Sequence, residues 1–246
     1  MGSLTADAFV LFGSDHLLTL LAVAVAAIGV PLLARWRLTP ASQHRFGVLI
    51  AILLVGHEAL AIWLQISWYG RDWTTVLPLH LCGLAVFMTA WMLAAKSYAA
   101  YEIVYFWACG GTLQALITPD LSVGFPAPAY LVFFVAHGLV VVGVLYATIV
   151  YRYRPQLVSI GKSVLALLAL LPVIGPLNLW IDTNYLFLCA KPSQSSLMDY
   201  LGPWPWYILS LVGVGLASCM IYYLPFLLSD WRAGRPIVPA RRRGLR

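Results

Sequence analysis

The sequence predicts an all-α membrane protein, a single bundle of seven transmembrane helices with its N-terminus outside the cytoplasm and its C-terminus inside. Three observations predict it. Of 246 residues, 62% are hydrophobic and only 10% charged, where soluble domains carry about 25% charged residues. Apolar runs of roughly 20 residues, the length that crosses a hydrocarbon core, recur along the chain. Lys and Arg are also distributed very unequally between alternate connections.

The first span, Leu17–Ala34, has no basic residue before it and no convincing small-residue cleavage site, so it reads as a retained helix and not a signal peptide. Met1-Gly2-Ser3 starts like a myristoylation signal, but Ala6 stands where that motif wants Ser or Thr, and no lipid anchor is expected. The second span is Phe46–Ser67. The third, Trp73–Ala95, contains Pro78, a residue that kinks or starts a helix. The fourth, Tyr98–Ile117, ends at the turn Thr118-Pro119-Asp120, and Pro126-Ala127-Pro128 leads into the fifth, Ala129–Tyr151. After the sixth, Ser163–Ile181, the long loop Asp182 to Pro203 is too aromatic and apolar for a linker and is expected to fold back onto the bundle mouth. The seventh, Trp204–Leu228, leads into a basic cytoplasmic tail, residues 230–246.

Orientation follows from the basic residues. Arg35, Arg37, Arg45, Lys96, Arg152, Arg154, Lys162 and the six arginines from Arg232 to Arg246 fall on one side, thirteen in all, against Arg71 and Lys191 on the other. Basic loops favour the cytoplasm. Arg241-Arg242-Arg243 then reads as a topogenic anchor touching anionic headgroups, and the net charge of +6 is a topology signal, with no nucleic-acid partner implied. No internal repeat is evident, and an odd span count does not divide into equal inverted halves. Cys82, Cys109, Cys189 and Cys219 follow neither metal-ligand spacing nor a disulfide framework.

Polar side chains in lipid are costly and normally face the bundle interior. At ~1.5 Å of rise per residue, Cys82 and His137 each lie roughly 12 Å below the outer surface. Gln65, His80, Gln114, Asn178 and Asn184 lie at similar or shallower depth, with Asp15 and His16 at the start of the first span and His57 and Glu58 nearer the midplane. Apart from Glu102, the inner half carries almost nothing comparable. A cavity open to the outer side or outer leaflet is expected. Taken singly, each residue has a plainer role: His57 and His80 bonding a neighbouring carbonyl, or Gln114, Asn178 and Asn184 gluing helices together. Their clustering at one depth favours a site.

A thiol and an imidazole at one depth form the minimal nucleophile–base pair for acyl transfer, and a third polar group orients the imidazole or polarises the attacked carbonyl. Asn178, Asn184, Gln114 and His80 are the candidates for that third group. His80 and Cys82 are two residues apart, about 200° around a regular helix. Both face one cavity only if that turn is irregular.

Several stretches resemble the YwaF-like bacterial integral membrane proteins and their animal relative, transmembrane protein 164. They are Leu79-His80-Leu81-Cys82, Gly110-Gly111-Thr112-Leu113-Gln114-Ala115-Leu116-Ile117-Thr118-Pro119, Ala136-His137-Gly138, Asn184-Tyr185, Lys191-Pro192 and Leu201-Gly202-Pro203-Trp204-Pro205-Trp206-Tyr207. The resemblance implies a seven-helix fold and, from the animal relative, a phospholipid acyltransferase working through a cysteine thioester, with Cys82 as nucleophile and His137 assisting.

The expectation is therefore an intramembrane phospholipid acyltransferase or transacylase in the bacterial cytoplasmic membrane, with phospholipid and lysophospholipid substrates. Cys82 and His137 are the expected catalytic pair, with His80, Gln114, Asn178, Asn184, His16 and His57 in support, and no cofactor or metal. A lipid-binding or transport protein using the same cavity is the first rival, and a haem or metal protein with His57, His80 or His137 as ligands the second. A retinal protein is disfavoured because Lys96, Lys162 and Lys191 all lie in or beside loops.

Overall fold

The computed structural model describes residues 7–192 and 197–234. Met1-Gly2-Ser3 and the tail from residue 235 on, Arg241-Arg242-Arg243 included, lie outside the described residues. Among those described the chain is all-α, with one isolated bridge between Ala8 and Val123. The helices are α1 (Ser14–Arg37), α2 (Pro40–Ser67), α3 (Leu81–Ala95), α4 (Tyr98–Trp107), α5 (Leu113–Ile117), α6 (Pro128–Ile149), α7 (Leu157–Leu168), α8 (Leu171–Ile181) and α9 (Trp206–Arg232). A π-helical segment, Ala108–Thr112, joins α4 to α5. Short 3₁₀ turns occupy Trp73–Thr75, Tyr185–Phe187 and Leu197–Tyr200.

Local chemistry sets the boundaries. Thr39 caps α2 by accepting the Ser42 N–H, with Pro40 at the first helical position, where its missing N–H costs nothing. Ser97 caps α4 by accepting the Ala100 N–H, and Gln156 and Ser159 form a reciprocal capping box on α7. Pro172 begins α8 and Pro176 lies within it, so the rod from Leu157 to Ile181 is interrupted between α7 and α8.

Contacts between helix ends fix the relative directions: α1, α3 and α6 run the same way, and α2 and α5 run against them. At the rim where α1 starts, here the upper rim, His16 bonds the Leu116 carbonyl and Tyr130 bonds the Asp15 carbonyl. At the lower rim Arg35 reaches the Ile149 carbonyl, Tyr146 the Gln43 carbonyl and Tyr151 the Leu93 carbonyl.

Among the described residues, five helices are long and apolar enough to cross a membrane: Ser14–Arg37, Pro40–Ser67, Pro128–Ile149, the pair Leu157–Ile181, and Trp206–Arg232. Their outward faces expose Leu18, Leu21, Val25, Ile52, Leu60, Leu209 and Ile221. A continuous apolar exterior of this kind needs hydrocarbon as its solvent. Exposed tryptophans mark both ends, Trp36 and Trp231 at the lower rim and Trp68, Trp180, Trp204 and Trp206 at the upper, as in interfacial aromatic belts.

The third span departs from the sequence expectation. Helix starts at Leu81, not Trp73, leaving 15 residues, about 22 Å, where a crossing needs about 30 Å. Pro78 is the physical reason, since it cannot donate to the preceding turn and holds the residue before it in extended backbone.

The lower half, expected to be the inner one, is also more polar than the sequence suggested. Tyr101 bonds Thr148 and the Tyr153 carbonyl, Tyr105 bonds the Tyr222 carbonyl, and Tyr98 bonds the Arg154 carbonyl. Arg154 pairs with Asp230 at 2.8 Å, and buried Glu102 pairs with Lys162 while accepting from Ser159 at 2.7 Å. Tyrosine is amphipathic, so its ring packs as hydrophobe while its hydroxyl satisfies a helix-end carbonyl. These groups staple the lower ends of α4, α6, α7 and α9.

Candidate functional site

The site is built where α3 begins. His80, in extended backbone, is the N-cap residue, Leu81 is the first helical residue and Cys82 the second. The preceding strap, Val76 to His80, folds back against this turn. Gly83 permits it, since a Cβ there would meet the Pro78 Cα and carbonyl oxygen at 2.8 Å. The π segment packs alongside. Its wide turn is marked by the Leu113 N–H bonding the Ala108 carbonyl, and a Cβ on Gly111 would meet the Leu81 side chain at 2.9 Å. A π turn inside a helix is a frequent mark of a functional site. Here it carries Thr112, fully buried, to the Cys82 thiol, a sulfur–hydroxyl contact short of good hydrogen-bond geometry that leaves the Thr112 Oγ1 otherwise unpartnered.

Two further helices complete the wall. Glu58 of α2 is within electrostatic range of Cys82, and His57, next to it, is within range of His137 on α6. Adjacent residues of one turn of α2 thus lie near Cys82 and near His137. The packing register agrees. A Cβ on Gly143 of α6 would meet Thr89 of α3 at 2.6 Å, with Leu54 of α2 at 3.8 Å, which fixes one level in the bundle. Counting toward the upper rim from that level, His137 lies ~9 Å, Cys82 ~10 Å and Glu58 ~6 Å above it.

His137 Nδ1 is 2.7 Å from the Phe133 carbonyl, and its ring stacks on Phe133 at 4.1 Å. A carbonyl can only accept, so Nδ1 carries the proton. In the neutral ring Nε2 is then the bare lone pair, the tautomer of a base. The Phe133 carbonyl takes the orienting role that a carboxylate has in a Ser-His-Asp triad. Among the described residues no hydrogen bond joins His137 to Cys82, and His57 Nδ1 is buried without a partner.

The other expected residues are elsewhere. His80 is exposed, its ring against Tyr185 and Phe187 of the long loop. Asn178, fully buried in α8, spends its amide on that loop. Its Nδ2 donates to the Tyr185 carbonyl, and its Oδ1 accepts the Tyr185 N–H and the Thr183 hydroxyl. Asn184 bonds the backbone of Cys189 and Ala190. Gln114 is exposed and reaches Thr118 one turn on. His16 has both nitrogens engaged, Nδ1 accepting the Phe12 N–H and Nε2 donating to the Leu116 carbonyl. Sequence reasoning missed Thr112 as a site residue and left Glu58 unassigned. The Gly110-Gly111-Thr112 run was the available signal for the first, and an acidic residue inside an apolar span for the second.

By the length and composition of its helices this is a multi-pass α-helical membrane protein whose candidate site residues lie on α2, α3, the π segment and α6. Residues 11–223 match the family described as the TMEM164 family, and the chain belongs to that family. It is also similar to a Treponema pallidum (strain Nichols) protein described as "Uncharacterized protein", 27% identical over 227 residues that cover 89% of this chain and 90% of that one. No solved structure matches the chain.

Proposed function

We propose that this protein is a phospholipid acyltransferase or transacylase that carries an acyl group on Cys82. The observation that supports the reading is a thiol against a buried hydroxyl at the broken start of α3, with a base-tautomer histidine at matching depth on α6. The Cys82 sulfur attacks the ester carbonyl carbon of a phospholipid while His137 Nε2 takes the thiol proton. The tetrahedral centre collapses, the C–O bond breaks, and the lysolipid oxygen leaves with the proton held by His137. A second lysophospholipid hydroxyl then attacks the thioester with the same proton traffic reversed. The Thr112 hydroxyl is a donor for the oxygen on which charge develops.

The topology belongs to the same proposal. The rods α1, α2, α3, α4–α5, α6, α7–α8 and α9 are read as seven crossings, with the α1-start rim outside and the thirteen basic residues on the cytoplasmic side of a bacterial cytoplasmic membrane. The site then opens toward the outer leaflet, where another phospholipid, and not a cytosolic acyl thioester, is the accessible donor.

The test is intact-protein mass spectrometry after incubation with phospholipid vesicles. A hydroxylamine-sensitive acyl adduct on wild type that is absent from Cys82→Ala supports the proposal. Absence of any adduct, also from His137→Ala in which turnover is stalled, replaces it with the lipid-binding reading. That second reading draws its support from the apolar groove described next.

A further inference from the structure

A cavity lies on a different face of α6 from Gly143, which packs on α3. It is a groove of about 500 Å³ between α1 and α6, within the range of small-ligand sites. Small residues open it: Ala22 on α1 and Gly138 on α6, where an added Cβ would come within 3.2 Å of Val23. It runs from Asp15 to Ala26 along α1 and from Tyr130 to Val142 along α6, ~17 Å by helical rise. Half of a hydrocarbon core is ~15 Å, so the groove is one leaflet long. Its sides are apolar and its flanks, Leu18 and Leu131, are exposed, so it opens laterally to lipid.

One end differs. At the upper rim the Tyr130 hydroxyl bonds Thr19 at 2.7 Å and the Asp15 carbonyl at 3.1 Å, which spends those polar groups internally. The Asp15 side chain is exposed, and its carboxylate is the charged group lining the groove. A lipid chain needs a leaflet-length apolar channel; an ammonium-bearing headgroup needs an anion at the channel's polar end. Both are present in register.

We propose that the α1–α6 groove binds one acyl chain of a phospholipid whose headgroup carries an ammonium, with Asp15 meeting that ammonium. The site is independent of acyl transfer in its construction. Resting on the proposed function, it is the place where a donor or acceptor lipid is held one helix away from His137, which precedes Gly138 on α6.

Native mass spectrometry in detergent tests it, using the Cys82→Ala chain so that lipid retention is read without covalent acylation. Phosphatidylethanolamine and phosphatidylglycerol of identical chains are the two probes. The expected result is preferential retention of phosphatidylethanolamine. Ala22→Phe, at an exposed position that blocks the groove without touching the core, lowers retention of both lipids. Asp15→Asn leaves total retention similar and reduces the preference by up to about fivefold, the value of one surface charge pair. Wild-type retention in a folded Ala22→Phe chain overturns the site, and an unchanged preference in Asp15→Asn overturns the headgroup assignment. Disulfide-linked dimers from Ala22→Cys, with lipid retention unaffected by Ala22→Phe, would make the groove an interface between copies and also overturn the proposal. Loss of lipid binding with the Cys82 adduct intact in the wild-type background separates failure here from failure of the acyltransferase reading.

Discussion

Asn178 was a candidate for orienting the acyl group, and the structure gives it a different task that can be measured. Its side chain holds both backbone polar groups of Tyr185, at 2.9 and 2.8 Å, and the Thr183 hydroxyl at 3.1 Å. Tyr185 is itself buried, and its hydroxyl accepts the Leu77 N–H and donates to the Thr74 carbonyl. Asn178 therefore fastens the long loop, and through Tyr185 the loop fastens the strap that precedes Cys82. Asn178→Ala leaves the buried Tyr185 N–H and carbonyl without partners, at about 1–3 kcal/mol for each group stranded. A net loss of about 3 kcal/mol of local stability raises the open population of the loop by roughly two orders of magnitude. Hydrogen exchange across Thr183–Leu188 reads this directly, and maleimide labelling of Cys82 reads its consequence for the site. Both accelerate in the variant, while the lower-rim helices exchange as before. Unchanged exchange in the loop, together with a lost acyl adduct, would refute the fastening role and return Asn178 to the chemistry.

Three further outcomes follow from the same geometry. Gly83→Ala drives a Cβ into Pro78 backbone, which cannot rotate away, and costs about 1–3 kcal/mol with loss of Cys82 acylation; Gly110→Ala, with nothing within 4 Å, leaves thermal stability within about 1 kcal/mol of wild type. Lys162→Met strands the buried Glu102 carboxylate and lowers stability by about 1–3 kcal/mol, discounted because the lysine is half exposed, and Glu102→Gln in the same chain recovers most of the loss in a denaturation series. Asp72, outside the spans, accepts the Thr74 N–H and hydroxyl, which hold its carboxyl below the ordinary aspartate value of 3.8. The turn it caps is secure above that value and loosens as pH falls through the lower folded value, so a carboxyl-carbon NMR titration of Asp72 gives a midpoint under 3.8 that Thr74→Val brings back toward it.

The bundle was legible because lipid leaves a coarse signature: apolar runs, aromatic rims and basic loops are all written in composition. What composition does not write is rotation. Depth alone placed Cys82, His137, Asn178 and Gln114 in one layer with His57 nearer the midplane, yet Asn178 spends its amide on the Tyr185 backbone and Gln114 turns to the Thr118 hydroxyl on its own helix end. The start of α3 was half legible. Pro78 announced a break and the His80–Cys82 spacing demanded an irregular turn, but the eight residues from Trp73 to His80 were apolar enough to pass for helix. The lower tyrosine layer escaped for a similar reason. Tyrosine counts as hydrophobic in a span, and its hydroxyl matters only once a carbonyl is found opposite it.

The convergence around Cys82 depends on two helices giving up regularity at the same level. A continuous third helix would point His80 and Cys82 to different sides, and its N–H groups would all be spent on the preceding turn. Beginning the helix at Leu81 instead frees the first-turn amides and sets the thiol at a helix N-terminus, where positive dipole density favours developing negative charge. The π segment complements this from the other side. One extra residue in its turn shifts every residue beyond it relative to a regular α4, and Thr112 is the residue that this shift brings to the thiol. Neither irregularity stabilises the bundle by itself. A buried, unpartnered Thr112 hydroxyl beside the thiol is an expense that a merely structural bundle would remove by substitution with Val or Ala. In the lower half Glu102, Arg154 and Asp230 are paired and the tyrosine hydroxyls that staple it are bonded, while His44 Nδ1 is buried without a partner. Among the described residues the unpartnered buried atoms run from His44 at the lower rim through Thr89 to His57 and Thr112 above, so it is the coincidence of Thr112 with the broken start of α3 and the π turn, and not orphan polarity alone, that singles out the upper site.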